Sequence, residues 1–267
     1  MAQTPTLARR MLAQKLRRQR IAAGITQDQA AAEVDRDATT IGRWEQGHAG
    51  ARRRDIQDLA KLYGTSAAET ARMTALLLQA GERGIWEGAN VPAHLRVFYE
   101  SELLAETVRY LDLDYVPGLL QTPEYLAEAQ SVRANADAER DVQVQRNYQQ
   151  RQADVIHGER QPRLEFVIGL AALEYLRDTA VFEVQVAALR EVNALAHVDI
   201  RVLTRLHAAM DGSFALIDPG DGLLEPFVFV EALDGCRYIE TRDVVSQYRA
   251  AFQAARSSAK PLEEYLK

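Results

Sequence analysis

The sequence predicts two parts: an all-α head of five short helices over residues 1–80, a linker at 81–92, and an α+β body with a small antiparallel sheet over 93–267. Three observations carry this. Apolar residues in the first 80 positions recur at helical spacing, each run bounded by a capping residue and a glycine. Gly81-Glu82-Arg83-Gly84, Gly88 and Pro92 then interrupt any regular pattern. Beyond Arg163, short β-branched and aromatic runs alternate with turn signals.

In the head, Ala8, Leu12 and Leu16 share one face of a first helix ending near Gly24. Thr26 with Gln29 makes a capping box for a second helix, Gln27 to Val34, that buries small alanines. Asp35-Arg36-Asp37 is a turn. Asp37 caps a third helix to Glu45, and Gly47 ends it. A fourth helix, Asp55 to Tyr63, stops at Gly64. Ser66 with Glu69 opens a fifth, to Gln79. Two short helices with a tight turn, inside a bundle, make a helix-turn-helix candidate.

In the body, a helix is expected over Ala93 to Leu111, and Pro117-Gly118 is a turn. Thr122-Pro123 starts the next helix, and a polar one spans Asp137 to His157. Strands are expected at Arg163–Ile168, Val198–Thr204, Ser213–Asp218, Phe227–Glu231 and Arg237–Glu240. Helices are expected at Ala171–Arg177, Thr179–Ala196 and Thr241–Arg256. Asp218-Pro219-Gly220-Asp221-Gly222 and Asp234-Gly235 separate the last three strands, which suggests an antiparallel meander.

The net charge of −6 hides an asymmetry. Residues 1–83 hold 14 Lys/Arg against 9 Asp/Glu, a net of +5; residues 84–267 hold 18 against 29, a net of −11. A basic head on an acidic body directs attention to an anionic partner at the head, nucleic acid first. The single cysteine, Cys236, excludes an intrachain disulfide and paired-cysteine metal or redox motifs. Histidines 48, 94, 157, 197 and 207 show no metal-ligand spacing. Asp112-x-Asp114 reads as surface acids. Phosphate-cradling glycine motifs and a nucleophile elbow are absent, so neither a cofactor nor an enzymatic activity is expected. No apolar run approaches the ~18 residues of a membrane span, and Met1 to Arg20 lacks a signal-peptide core. A cytoplasmic protein is expected, nucleoid-associated when bound to DNA.

The third helix is the most informative segment. A step of roughly 100° per residue puts Ile41 and Trp44 on one side and Thr39, Gly42 and Arg43 opposite, with Ala38 at the edge. The apolar side packs on the head; the other suits the major groove. Arg43 has the fork to grip a guanine edge, Thr39 offers a hydroxyl or methyl to a base, and Ala38 suits a thymine methyl. Gly42 allows close approach. Gln27 and the free N–H groups of its helix suit a phosphate oxygen. Arg36, flanked by Asp35 and Asp37, lies close to the expected phosphates.

Ile25-Thr26-Gln27-Asp28-Gln29-Ala30-Ala31 and Ile41-Gly42-Arg43-Trp44-Glu45-Gln46-Gly47 resemble the opening and close of the Cro/repressor-type (XRE) helix-turn-helix, with no gap between them. The resemblance implies recognition contacts at Ala38, Thr39 and Arg43. It also implies backbone or minor-groove contacts at Arg52, Arg53 and Arg54, and a structural ion pair between Arg20 and Glu45. A departure is Asp35, where the family often has glycine; aspartate tolerates the left-handed conformation needed there. In the body, Tyr115-Val116-Pro117-Gly118-Leu119-Leu120-Gln121-Thr122-Pro123-Glu124-Tyr125 resembles the signature of a C-terminal domain of unknown function carried by actinobacterial, WhiJ-like XRE regulators. Arg151-Gln152, Gly212 to Leu216 and Pro226 to Glu231 fit it more loosely. This resemblance implies a small BldB-like protein partner. A second departure is Ile168-Gly169-Leu170-Ala171, where relatives more often carry an acid.

The expected function is therefore sequence-specific, DNA-binding transcription regulation, repressor-like in form. The body dimerises the chain or senses a small protein or ligand. Alternatives are a ligand-binding or enzymatic body tethered to DNA, and a partner-sequestering protein that binds DNA to regulate itself. A homodimer on double-stranded DNA is expected. Val244, Val245, Tyr248 and Phe252 supply either its contact surface or packing against the body's own sheet.

Overall fold

The structure, a computed structural model, describes residues 7–80, 91, 93–131, 138–207, 212–219, 225–232 and 235–267. Apart from Val91, the expected linker lies outside the described residues, as do positions 220–222 of one expected turn and Asp234 of the other. The chain divides into two compact units. One comprises Met1–Gly88, Pro92–Glu100 and Asp221–Glu225; the other comprises Ala89–Val91, Ser101–Gly220 and Pro226–Lys267.

The first unit holds α1 (Leu7–Ala22), α2 (Gln27–Glu33), α3 (Ala38–Glu45), α4 (Arg53–Leu62) and α5 (Ala67–Gln79). Local chemistry satisfies free backbone groups at several of these helix ends. Thr26 and Gln29 form a reciprocal capping box. Gly24, Gly47 and Gly64 take left-handed conformations after α1, α3 and α4. Ser66 caps α5 through the Glu69 N–H, but the Glu69 carboxylate turns instead to Lys15 on α1, 2.6 Å away. α1 packs on α3 and α5, α2 on α3 and α4, and α4 on α5. The core they enclose includes Leu12, Leu16, Ala30, Ile41, Trp44, Ile56, Leu59 and Met73.

The second unit is built on a seven-stranded mixed sheet. Its strands are β1 (Thr107–Asp112), β2 (Arg163–Gly169), β3 (Val198–Leu203), β4 (Phe214–Asp218), β5 (Phe227–Ala232), β6 (Gly235–Ile239) and β7 (Lys260–Pro261), in the order β6-β5-β4-β1-β2-β3-β7. β1, β2 and β3 are parallel; the remaining pairs are antiparallel. The expected meander is present as β4-β5-β6, but the small antiparallel sheet is corrected to this larger mixed one. The error begins at residues 93–111. Helix α6 (Ala93–Leu104) ends early, and Thr107–Asp112 forms the central strand. Val108, Tyr110 and Leu111 are all buried, so β1 lacks the alternation that marks a strand with one wet face. Its apolar residues therefore read as a continuation of the helix before it.

Helices α7 (Pro123–Ser131) and α8 (Ala138–Ile156) connect β1 to β2, and α9 (Ala171–Glu174) and α10 (Ala180–Asn193) connect β2 to β3. Parallel neighbours require such crossovers. α11 (Arg242–Ser258) joins β6 to β7, and α12 (Leu262–Tyr265) follows β7. Val245, Phe252 and Ala255 of α11 pack on Leu111, Val167, Leu203, Phe214, Leu216 and Val228, with Tyr248 and Val230 beside them. Val245 and Phe252 are thus committed to the protein's own sheet. No helix among the described residues is long and apolar enough to cross a membrane.

Candidate nucleic-acid interface

Eight-residue α3 is too short to persist by itself and is held at both ends and along one face. Asp37 Oδ1 accepts from the Thr40 backbone N–H at 2.7 Å and Oδ2 from the Thr40 hydroxyl at 3.1 Å. These bonds, the backbone one first, hold the Asp37 carboxyl below its ordinary range. Ile41 and Trp44 are buried at 1% and 6% exposure. The turn before α3 passes through Asp35 at φ +52°. An α-helix cannot continue through that conformation, so the chain changes direction there.

Arg20 of α1 closes the C-terminal side of the motif. Its Nε and Nη2 donate to Glu45 Oε1 and Oε2 at 2.6 and 2.9 Å, and its Nη1 donates to the Ile25 carbonyl at 2.8 Å. The side chains are 12% and 3% exposed. Hydrogen bonding to Glu45 holds the Arg20 pKa above its ordinary value. Gln27 Nε2 donates to Glu45 Oε2 at 2.9 Å, so that amide braces α2 on the end of α3. Its amide atoms also face Gly42, at ordinary van der Waals distance from where a Cβ would lie. Gly42 thus looks onto Gln27 rather than into open space. Tyr63 is buried nearby; burial, with Glu45 adding to it, raises its hydroxyl pKa.

Thr39 and Arg43 are exposed on the outer face of α3, and Ala38 is half-buried at its start. Arg36 is exposed in the turn, donating to the Asp35 carbonyl at 2.9 Å and standing 3.9 Å from Asp55. Arg52, Arg53 and Arg54 are exposed at the start of α4. Arg54 stands 3.5 Å from Asp58. The guanidinia of Arg43, Arg52 and Arg53 have no ion-pair partner among the described residues. Asp55 is the supporting residue that sequence reasoning missed. It is buried, and its carboxylate accepts from the Arg52 backbone N–H at 3.3 Å, fixing the start of α4. An acid at the third position of a helix was the available signal.

The Tyr115–Tyr125 signature lies in the second unit and forms a polar clamp. The Val116 N–H donates to the Tyr125 hydroxyl at 3.0 Å, and Gln121 Nε2 donates to the Val116 carbonyl at 2.7 Å. Gln152 of α8 donates to the Gln121 carbonyl at 2.7 Å. Buried Gln185 of α10 accepts from the Thr122 N–H at 2.9 Å and donates to the Leu120 carbonyl at 2.7 Å. Its signal was a lone amide among the apolar residues of a helix. Gly118 lies against Tyr148 and Arg151, and a Cβ there would meet both at 3.0–3.1 Å. Arg151 forms a buried two-pronged pair with Glu102 at 2.5 and 2.6 Å and donates to the Tyr110 hydroxyl at 3.0 Å. Asp112 ends β1 beside Ser213. Burial pushes its pKa up to about 7 against the pull of Arg151, and Glu231 and Asp114 add to the rise. Among the described residues no group of three His, Cys, Asp or Glu side chains is placed to hold a metal.

Residues 11–73 match a helix-turn-helix domain, the kind of domain that marks a DNA-binding regulator. Residues 95–266 match a domain of unknown function (DUF5753). No curated protein and no solved structure matches the chain. The longer match spans well over half of the sequence, beyond the helix-turn-helix, and the chain therefore belongs to the family of the domain of unknown function DUF5753.

Proposed function

We propose that this protein is a sequence-specific transcription regulator, without enzymatic activity, that docks α3 in the major groove of its operator. Its second unit dimerises the chain and receives a small protein or ligand. The observation that carries the reading is the contrast on and around α3. Glu45, Ile41 and Trp44 lock one side, while Thr39 and Arg43 of α3 and Arg52 and Arg53 at the start of α4 are exposed, and among the described residues no carboxylate pairs with the three guanidinia. Three uncompensated guanidinia around a helix of this length suit a polyanion. In this reading Arg43 reads a base edge, and Arg53 and its neighbours hold phosphates.

Binding across salt and across base-substituted duplexes separates the two roles. Arg43→Ala is expected to cost about 1–3 kcal/mol on the best site and to relax preference at one or two base pairs. Arg53→Ala is expected to weaken binding to every sequence and to lower the salt slope by about one. Equal loss on all duplexes from Arg43→Ala would assign that residue to phosphate alone. No loss from either variant would remove α3 and the start of α4 from the interface.

A further inference from the structure

The sheet face that carries α11 is apolar along one half and charged along the other. Side chains two residues apart on a strand share a face. Arg109 of β1 therefore lies on the same face as Leu111, Glu165 of β2 on the same face as Val167, and Asp199 and Arg201 of β3 on the same face as Leu203. Register places Arg109 opposite Glu165, and Glu165 opposite Asp199. Asp218 of β4 joins them, and Arg249 and Arg256 reach in from α11.

The contacts form one connected cluster. Glu165 is shared by Arg109 (2.8 Å), Arg163 (3.0 Å) and Arg256 (3.7 Å). Asp199 is shared by Arg256 (2.6 Å) and Arg201 (3.1 Å), and Asp218 by Arg249 (2.8 Å) and Arg109 (3.6 Å). Five guanidinia thus meet three carboxylates. Guanidinium stays protonated at any relevant pH, so the excess of two positive charges does not titrate away. The cluster is also short of acceptors. Arg109 Nη1 is buried without a hydrogen-bond partner among the described residues, and Asp218 stands 3.6 Å from it, beyond hydrogen-bonding distance. Among the described residues, all ion pairs of these eight side chains are internal to the cluster. The excess charge is reachable from solvent through Arg163 and Arg249, whose side chains are 63% and 39% exposed.

We propose that this cluster is a binding site for a small dianion carrying a phosphoryl group, at which Arg163 and Arg249 make the first contacts. Arginine forks match the spacing of phosphoryl oxygens, and two negative charges cancel the excess. The residues from 84 onward have a net charge of −11, so a local surplus of positive charge runs against its surroundings.

The test uses the full chain and two probes, inorganic phosphate and pyrophosphate, each against sodium chloride at equal ionic strength. Both probes are expected to raise the melting temperature of the strand-rich unit by about 3 °C or more over chloride. Gln253 is exposed, four residues after Arg249 and three before Arg256, within reach of both on one helix face. Gln253→Glu, which cancels one of the two excess charges, is expected to raise the melting temperature without phosphate and to reduce the further rise with it. Arg163→Ala is expected to reduce the phosphate effect and to leave the salt slope of DNA binding unchanged. Equal rises in chloride and phosphate would overturn the proposal, and so would a phosphate rise that Gln253→Glu leaves undiminished. A salt slope lowered by Arg163→Ala would transfer the cluster to the nucleic-acid backbone and overturn the small-ligand assignment.

Discussion

Glu45 receives three hydrogen bonds, two from Arg20 and one from Gln27. It is the point at which α1, α2 and α3 are tied together. Glu45→Ala leaves the Arg20 guanidinium at 12% exposure without its counter-charge. The expected cost is about 3–5 kcal/mol, the range for breaking a buried pair from one side. The helical unit should melt ahead of the strand-rich one in calorimetry; an unchanged helical transition would show that the pair contributes little. Asp112 couples the stability of its unit to pH. Its folded pKa is pushed up to about 7, while an unfolded aspartate titrates near ~4. Between those values the folded state holds a proton that the unfolded chain does not. Asp112 therefore makes stability fall as pH rises through this window, and its contribution is level above it. Denaturation midpoints across the window should fall less steeply for Asp112→Asn than for the parent chain. Parallel curves would mean that Asp112 titrates normally.

At the scale of elements, the clearest constraint lies where β2 ends. A Cβ on Gly169 would stand 2.1 Å from the Leu113 carbonyl oxygen, just after β1. Backbone cannot yield as a flexible side chain does, so Gly169→Ala must push β1 and β2 apart at their carboxyl ends. A loss of about 1–3 kcal/mol is expected, read as a lower denaturation midpoint of the strand-rich unit. No loss would mean that the loop after β1 moves freely. Sequence reasoning gave Gly169 no role beyond lying in a stretch that lacks an acid, because close approach of a segment some 55 positions away leaves no local trace. The elements of the helix-turn-helix were legible for the opposite reason. The Thr26–Gln29 box, the Asp37 cap and Gly47 each act within four residues, so their spacing is written in the chain.

For the whole molecule, the expected assembly follows from the small size of the proposed DNA-contact surface. A single module covers roughly 600–1,000 Å² of DNA contact, and regulators of this shape pair with recognition helices about 34 Å apart. A homodimer on an inverted repeat is therefore expected, observable as twice the monomer mass by light scattering at tens of micromolar. A monomer there, with full affinity for a half-site, would sink the expectation. Two of the four residues considered for the dimer surface, Val245 and Phe252, are core residues, and Tyr248 packs edge-on to Phe214. Of the four, Val244 alone stays outside that packing, so a dimer contact would draw on further surface. Tyr175 and Leu206, exposed at 74% and 95%, are available candidates in the second unit.

What the sequence determined by itself was whatever depends on near neighbours: five helices with their caps and stops, the left-handed turn at Asp35, the buried and exposed sides of α3, and the β4-β5-β6 meander. Tertiary structure alone decided that residues 107–112 form a central strand, that β1, β2 and β3 run parallel, and that Gln27 braces Glu45. It also gathered five arginines around three acids. The physical reason is range. Helix caps and hairpin turns are closed by bonds over a few residues, whereas a strand buried on both faces has no period of its own and takes its identity from its partners. Those partners, Arg163 to Ile168 and Phe214 to Asp218, lie more than 50 and 100 residues further along the chain.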